Sequence, residues 1–287
     1  MDIKGTLIPI GGNEDKGNEA GEQYHLEYIA DGILSRVVRE CGGNDALIVV
    51  VPTASSIPEE VGQNYLNAFG KLGCTNVVVL DIREREASED EKNIDLIRRA
   101  ACVMFSGGNQ SKITEKIGGT SIHAILKERF TKEALVIAGT SAGAMCMSLE
   151  MITGGSSQES LVKGAVGMAE GMGFIPNLII DSHFIRRGRF GRLAEAVAKF
   201  PNLMGVGLAE DTGLVIKNCN TFEVIGSGMV ILFDPRDLKH NNVEVLKQGT
   251  PMSLVNLKAH VLTNGDKFNI TKRQVEVLPL DAPFITA

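Results

Sequence analysis

The sequence predicts an α/β protein, a mostly parallel sheet with helices on both faces. Two observations carry this: apolar runs of strand length recur along the chain, and segments of helical periodicity separate several of them. A third, a change of texture after Gly205, predicts antiparallel strands added to one edge of that sheet.

The strand-like runs are 6–10, 47–51, 77–80, 101–105, 135–138 and 178–180. The clearest helix is expected over 25–41, where Leu26, Ile29, Ile33 and Val37 fall on one stripe. A second is expected over 58–72, with Pro58 in its first turn, and a third over 142–149. From Val206 to Asp234, "VGLAEDTGLVIKNCNTFEVIGSGMVILFD" sets short apolar runs between Gly, Asn and Asp turn signals. With no repeat, low-complexity tract or long linker, residues 1–287 are expected to form one domain, of which about 205–287 is a β-rich extension.

Composition narrows the function classes. A 44% hydrophobic and 22% charged chain of 287 residues is globular rather than disordered. A net charge of −6 argues against general nucleic-acid binding, which needs a basic face. The apolar run 7–10 is cut by Gly11 and Gly12 far below spanning length, so a cytoplasmic protein that does not engage membranes is expected. The five cysteines, Cys41, Cys74, Cys102, Cys146 and Cys219, lack the spacing of a zinc site or redox motif and are expected to be small core residues. No metal or cofactor is expected.

One pentapeptide raises a chemical question. In "LVIAGTSAGA", residues 135–144, a buried strand turns a serine out on a tip with glycine two residues to either side. That is the pattern of a nucleophile elbow, where flanking side chains must be small because strand, turn and helix crowd together. A Ser141 that merely caps the following helix would read the same way. A second glycine turn after a strand, "FSGGNQ", offers further free N–H groups at the same sheet edge. The two loops together could form an oxyanion hole from Ala142 N–H and either Gly108 or Asn109 N–H.

A serine nucleophile needs a base. His25 and His123 fall on expected helices, and His240 and His260 have no motif around them. His183 follows the run 178–180 directly, at the strand end where α/β sheets carry their chemistry. The acid that orients it could be Asp181, Glu210 or Asp211. Glu210 is preferred because it ends the run 206–209, which leaves Asp181 for substrate. Arg186, Arg187, Arg189 and Arg192 cluster at the start of a helix, where cations oppose the macrodipole. The cluster therefore points to a carboxylate on the substrate, although a solvated, salt-bridged face is the ordinary alternative.

At these residues the chain resembles the cyanophycinase family of serine peptidases, a group that also includes the aspartyl dipeptidases. The stretches that carry the resemblance are "IGGNEDKG", "FSGGNQ", "GTSAGAMCMS", "KGAVGMAEGMGF", "DSHFIRRGRFGRL" and "GVGLAEDTGLVI", in this order. The resemblance implies a fold like that of class I glutamine amidotransferases, a homodimer, and hydrolysis of cyanophycin. That polymer is poly-aspartate with an arginine joined through each β-carboxyl, and exopeptidase action releases β-aspartyl-arginine. It also implies Ser141 as nucleophile, His183 as base and Glu210 as acid, with Gln110, Asp181, Arg187, Arg189 and Arg192 lining the substrate pocket. The family usually shows Asp-Gln-His-Phe where this chain has Asp181-Ser182-His183-Phe184, so Ser182 is expected to bear on specificity. An α-aspartyl or isoaspartyl dipeptidase, and a silent binding homologue, are the alternatives to be separated.

Overall fold

A computed structural model of the chain describes residues 2–17, 26–155 and 160–279. In chain order its elements begin with β1 (Thr6–Ile10), α1 (Ile33–Glu40), β2 (Ile48–Val51), α2 (Pro58–Lys71), β3 (Val77–Val79), α3 (Glu91–Arg99) and β4 (Cys102–Phe105). There follow α4 (Gln110–Lys116), α5 (Ser121–Lys132), β5 (Val136–Thr140), α6 (Ala142–Met145), β6 (Glu150–Gly154), β7 (Gly167–Glu170), β8 (Leu178–Asp181) and α7 (Phe190–Lys199). The remainder is β: β9 (Met204–Leu208), β10 (Thr212–Lys217), β11 (Thr221–Gly226), β12 (Met229–Asp234), β13 (His240–Asn241), β14 (Leu254–Val255), β15 (Lys258–Thr263), β16 (Lys267–Asn269) and β17 (Gln274–Glu276).

The large sheet has nine strands in the order β17-β16-β11-β10-β1-β5-β4-β2-β3. Its second half, from β1 to β3, is parallel, as the apolar runs predict. The half from β1 to β17 is antiparallel, so the sheet is mixed rather than mostly parallel. The cause is local. Asn218 and Cys219 both take left-handed backbone, which closes a tight hairpin between β10 and β11 and leaves no room for a crossover helix. A second correction concerns the run 178–180: β8 belongs to a separate four-stranded sheet, β15-β12-β9-β8, where it pairs parallel with β9.

Helices do cover both faces of the large sheet, and the strand pleat divides the core accordingly. Val49 and Val51 of β2 face one side with Ile97, Leu126 and Phe130 of α3 and α5. Ile48 and Val50 face the other with Leu34, Val37 and Phe69 of α1 and α2. Each such side chain contributes about 1.5–3 kcal/mol when fully buried. Helix α7 packs on the smaller sheet through Leu193 and Val197, in one cluster with Phe184 of the loop after β8 and Phe233 of β12. Among the described residues, no helix is long and apolar enough to cross a membrane.

The helix expected over 25–41 is shorter than its stripe. It starts at Ile33, because Glu27 to Gly32 form a turn in which the N–H groups of Asp31 and Gly32 both donate to the Glu27 carbonyl. Ile29 is consequently exposed. His25 lies outside the described residues. The helix over 142–149 is likewise cut to one turn, since the chain re-enters a strand at Glu150. Four of the five cysteines are buried and Cys219 is half-buried; all five are free.

Candidate active site

Strand β5 ends at Thr140, and Ser141 follows at φ 51° and ψ −108°, a conformation that costs an L-residue about 1–3 kcal/mol. Sterics dictate the glycines around it. A methyl group on Gly139 would overlap the Gly143 carbonyl, and one on Gly143 would overlap the Phe105 carbonyl of β4. The strained backbone is pinned by the Ser141 N–H, which donates to Ile10 O at the end of β1 (2.8 Å), and by the N–H groups of Ala144 and Met145, which donate to Ser141 O. The Ser141 side chain makes no capping bond to the helix. That removes the helix-cap reading.

His183 and Glu210 are brought together by strand register. Asp181 of β8 lies opposite Gly207 of β9, and two and three residues later their chains leave the sheet side by side. The His183 N–H donates to Gly11 O (2.8 Å), and Nδ1 lies 3.1 Å from Glu210 Oε1. His183 also takes left-handed backbone, at φ 49°, which breaks the alternation that would have put it on the same face as Asp181. Burial holds the His183 imidazolium below the usual histidine range; Glu210 opposes that shift, and the Arg187 and Arg189 charges reinforce it. Asp211, another of the acids considered, spends one oxygen on Asp15 N–H and the other on Ser227 Oγ.

Ser141 and His183 line one pocket of about 420 Å³ at the carboxyl ends of the strands, together with Gly107, Gly108 and Arg187. A larger open groove of about 710 Å³ lies at the edge strands β11, β16 and β17 and contains none of these residues. Asn109 N–H is already donated to Ala54 O (2.9 Å), and its side chain accepts from Ser111 N–H. Of the N–H groups expected to meet an oxyanion, Gly108 and Ala142 therefore remain. Position 108 calls for glycine twice over, because its φ is 140° and a side chain there would collide with the Ala54 carbonyl.

The structure departs from expectation at five substrate candidates, whose polar groups face the protein. Asp181 is fully buried, and its carboxylate accepts from Arg192 Nε (2.8 Å) and Nη2, from Arg189 Nη1 (3.2 Å) and from Ser182 N–H (2.9 Å). Arg192 is thereby locked by its bidentate pair. Ser182 is fully buried, its hydroxyl on Met145 Sδ (3.2 Å). Gln110 donates to Ile152 O (2.7 Å). Arg189 also donates to Ser182 O (2.6 Å); burial and the neighbouring guanidinium groups push it down to about 10, still charged at neutral pH. Arg187 is the member of the cluster that lines the pocket among the described residues.

The motif reading missed a second polar group in the pocket. Glu14, buried beside the elbow, accepts from Lys16 Nζ (2.8 Å), Tyr65 OH and Thr140 Oγ1, the last on the residue before Ser141. Lys16 lies over the Tyr65 ring, 5.1 Å from its centroid, and Glu14, Lys16, Tyr65 and Thr140 all line the pocket. Despite its burial the Glu14 carboxyl is held below the usual range, because Lys16 and the two hydroxyls favour its charged form. The signal was present in "GGNEDKG": two acids and a lysine directly after a strand end. None of the other described histidines lines the pocket; His123 on α5, for instance, ties Gly119 N–H to Met172 O. Cys146 is buried, with its thiol donating to Gly143 O and raised by that burial, which suits packing and not nucleophilic work.

A sequence model of Peptidase family S51 matches residues 19–224. A protein of Trichormus variabilis named cyanophycinase is 36% identical over 274 residues, 95% of this chain and 88% of the relative. Another cyanophycinase, from Geminocystis herdmanii, is 34% identical over 93% of this chain and 94% of its own length. Among solved structures, a peptidase from an acI-B1 actinobacterium superposes with a TM-score of 0.65, covering 93% of this chain and 98% of that one at 20% identity.

Proposed function

Because the chain belongs to peptidase family S51, we infer that it is a serine exopeptidase that hydrolyses cyanophycin to β-aspartyl-arginine. The observation that carries the catalytic assignment is the strained Ser141, free of any capping role, in the same pocket as a histidine whose Nδ1 is held by Glu210. In this reading Ser141 Oγ attacks the carbonyl of the backbone amide that joins the terminal β-aspartyl-arginine unit. His183 Nε2 takes the hydroxyl proton and returns it to the leaving amine. Glu210 keeps the proton of the neutral imidazole on Nδ1, so that Nε2 is free to accept. Ala142 and Gly108 N–H meet the oxyanion, and water then hydrolyses the acyl-enzyme by the same route.

The substrate contacts follow from the charges that reach the pocket. Lys16 and Arg187 are its cations and would hold free carboxylates of the polymer end. Glu14 is a positioning residue, fixing Lys16 and the Thr140 side of the elbow with one carboxylate. Asp181 holds Arg189 and Arg192 beneath the site. On the resemblance, we also assign a fold like that of class I glutamine amidotransferases and a homodimer; from the sequence texture we assign residues 1–287 to one hydrolytic domain, working in the cytoplasm.

Incubating the purified protein with insoluble cyanophycin and identifying the soluble products by mass spectrometry tests the reading. Release of β-aspartyl-arginine is expected; cleavage of short α-aspartyl peptides alone would favour the dipeptidase alternative. The pH profile gives a second check. His183 must be neutral to accept the proton, and its burial lowers the pH at which it charges. The acid limb of kcat/KM is therefore expected below the ordinary histidine value of 6.5. A limb above that value would contradict the assignment. Gly12 supplies a third. A methyl group there would lie 2.5 Å from His183 Nε2, on a backbone with φ 110°, so Gly12→Ala should displace the base. A loss of about 10²-fold in kcat/KM is expected for such a misplacement.

A further inference from the structure

A second cavity, of about 280 Å³, lies between α7 and the loop that leads into β7, and shares no lining residue with the Ser141 pocket. Glu195 of α7 lines it and is only 4% exposed. Its Oε1 accepts from the N–H groups of Gly164 (2.9 Å) and Val166 (3.2 Å), while Oε2 is buried and has no hydrogen-bond partner among the described residues. A buried carboxylate oxygen without a donor is unfavourable and calls for a ligand that brings one. Val166, Met168, Ala196 and Val243 supply apolar walls. Two lysines also line the cavity: Lys163 is committed to the carbonyls of Glu244 and Leu246, and exposed Lys199 lies against the Phe200 ring.

We propose that this cavity is a second subsite that takes one arginyl arm of the polymer, with the guanidinium on Glu195 Oε2 and the α-carboxylate at Lys199. The proposal rests on the cyanophycin reading. Each arginine of that polymer is linked through its α-amino group, which leaves a cation at one end of an apolar stem and a carboxylate at the other. The cavity presents the complement: a buried acid, apolar walls and an exposed ammonium. A metal ion fits worse, since a single free carboxylate oxygen among apolar side chains does not make the six or more oxygen ligands a hard cation takes. Because the arms repeat along the chain, a second grip outside the catalytic pocket raises the local concentration of polymer at Ser141.

Glu195→Gln separates this role from a structural one. The variant keeps an oxygen for the Gly164 and Val166 N–H groups and places an amide N–H₂ where the free oxygen stood. Calorimetric titration of the whole protein with Nα-acetyl-L-arginine should show binding that weakens at least tenfold in Glu195→Gln. The same weakening is expected when the ligand is Nα-acetyl-L-citrulline, which lacks the charge. Lys199→Gln, at an exposed position, should weaken Nα-acetyl-L-arginine and leave its amide unchanged. On activity, Glu195→Gln should slow cleavage of insoluble polymer several-fold more than cleavage of short soluble β-aspartyl-arginine oligomers. Equal binding by wild type and Glu195→Gln, or equal binding of the arginine and citrulline ligands, would overturn the subsite. Glu195-dependent binding in a protein that leaves cyanophycin intact would uphold the guanidinium site and sink the substrate reading instead.

Discussion

Ser141→Ala is expected to lower turnover of cyanophycin by as much as about 10⁶-fold, the scale on which serine peptidases lose activity without their nucleophile. Its stability should change little, because the Ser141 hydroxyl makes no capping bond whose loss would matter. Ser141→Gly extends the test. At φ 51° and ψ −108° a glycine relieves strain that serine carries, so this variant should be equally inactive yet more stable, by about 1 kcal/mol. Thermal melts beside the product assay would separate the two effects. A fully active Ser141→Ala would remove Ser141 from the chemistry, and a destabilised Ser141→Gly would mean that its backbone is not strained.

The elbow was legible in the sequence because its glycines answer to sterics that any strand-turn-helix crossing imposes. The strands of the parallel half and α2 were legible for a similar reason, as their apolar spacing is local. What periodicity does not carry is a strand's partner. The run 178–180 reads as one more buried parallel strand, and only pairing with β9 places it in a different sheet. That same pairing brings Glu210, the acid preferred from the sequence, to the His183 imidazole. The start of α1 was obscured because Leu26 and Ile29 continue the stripe of a helix that the turn before Gly32 prevents. The arginine cluster was visible as charge, but its neutralising partner Asp181 was read as a substrate ligand. Eight and eleven residues of separation hide an ion pair that a short loop after β8 and the first turn of α7 create.

Asp181→Ala should cost about 3–5 kcal/mol of folding stability, the penalty for breaking a buried ion pair and leaving charge unpaired. Arg192, 4% exposed, would keep a guanidinium inside the protein with only a long bond to Gly155 O (3.5 Å) to compensate it. Arg189 would lose its carboxylate partner too, although its bond to Ser182 O survives. Removing both ends of the main pair tests the cause: Asp181→Leu combined with Arg192→Met should be less destabilised than Asp181→Ala alone, since the buried charge disappears with its partner. Denaturant midpoints of the three proteins decide this. If Asp181 instead served substrate directly, Asp181→Ala would raise KM at unchanged stability, and the double variant would gain nothing over it. The structure favours the first outcome because the carboxylate is fully buried and both of its oxygens already accept from Arg189, Arg192 or the Ser182 amide, so that its charge acts on substrate through the arginines it holds in place.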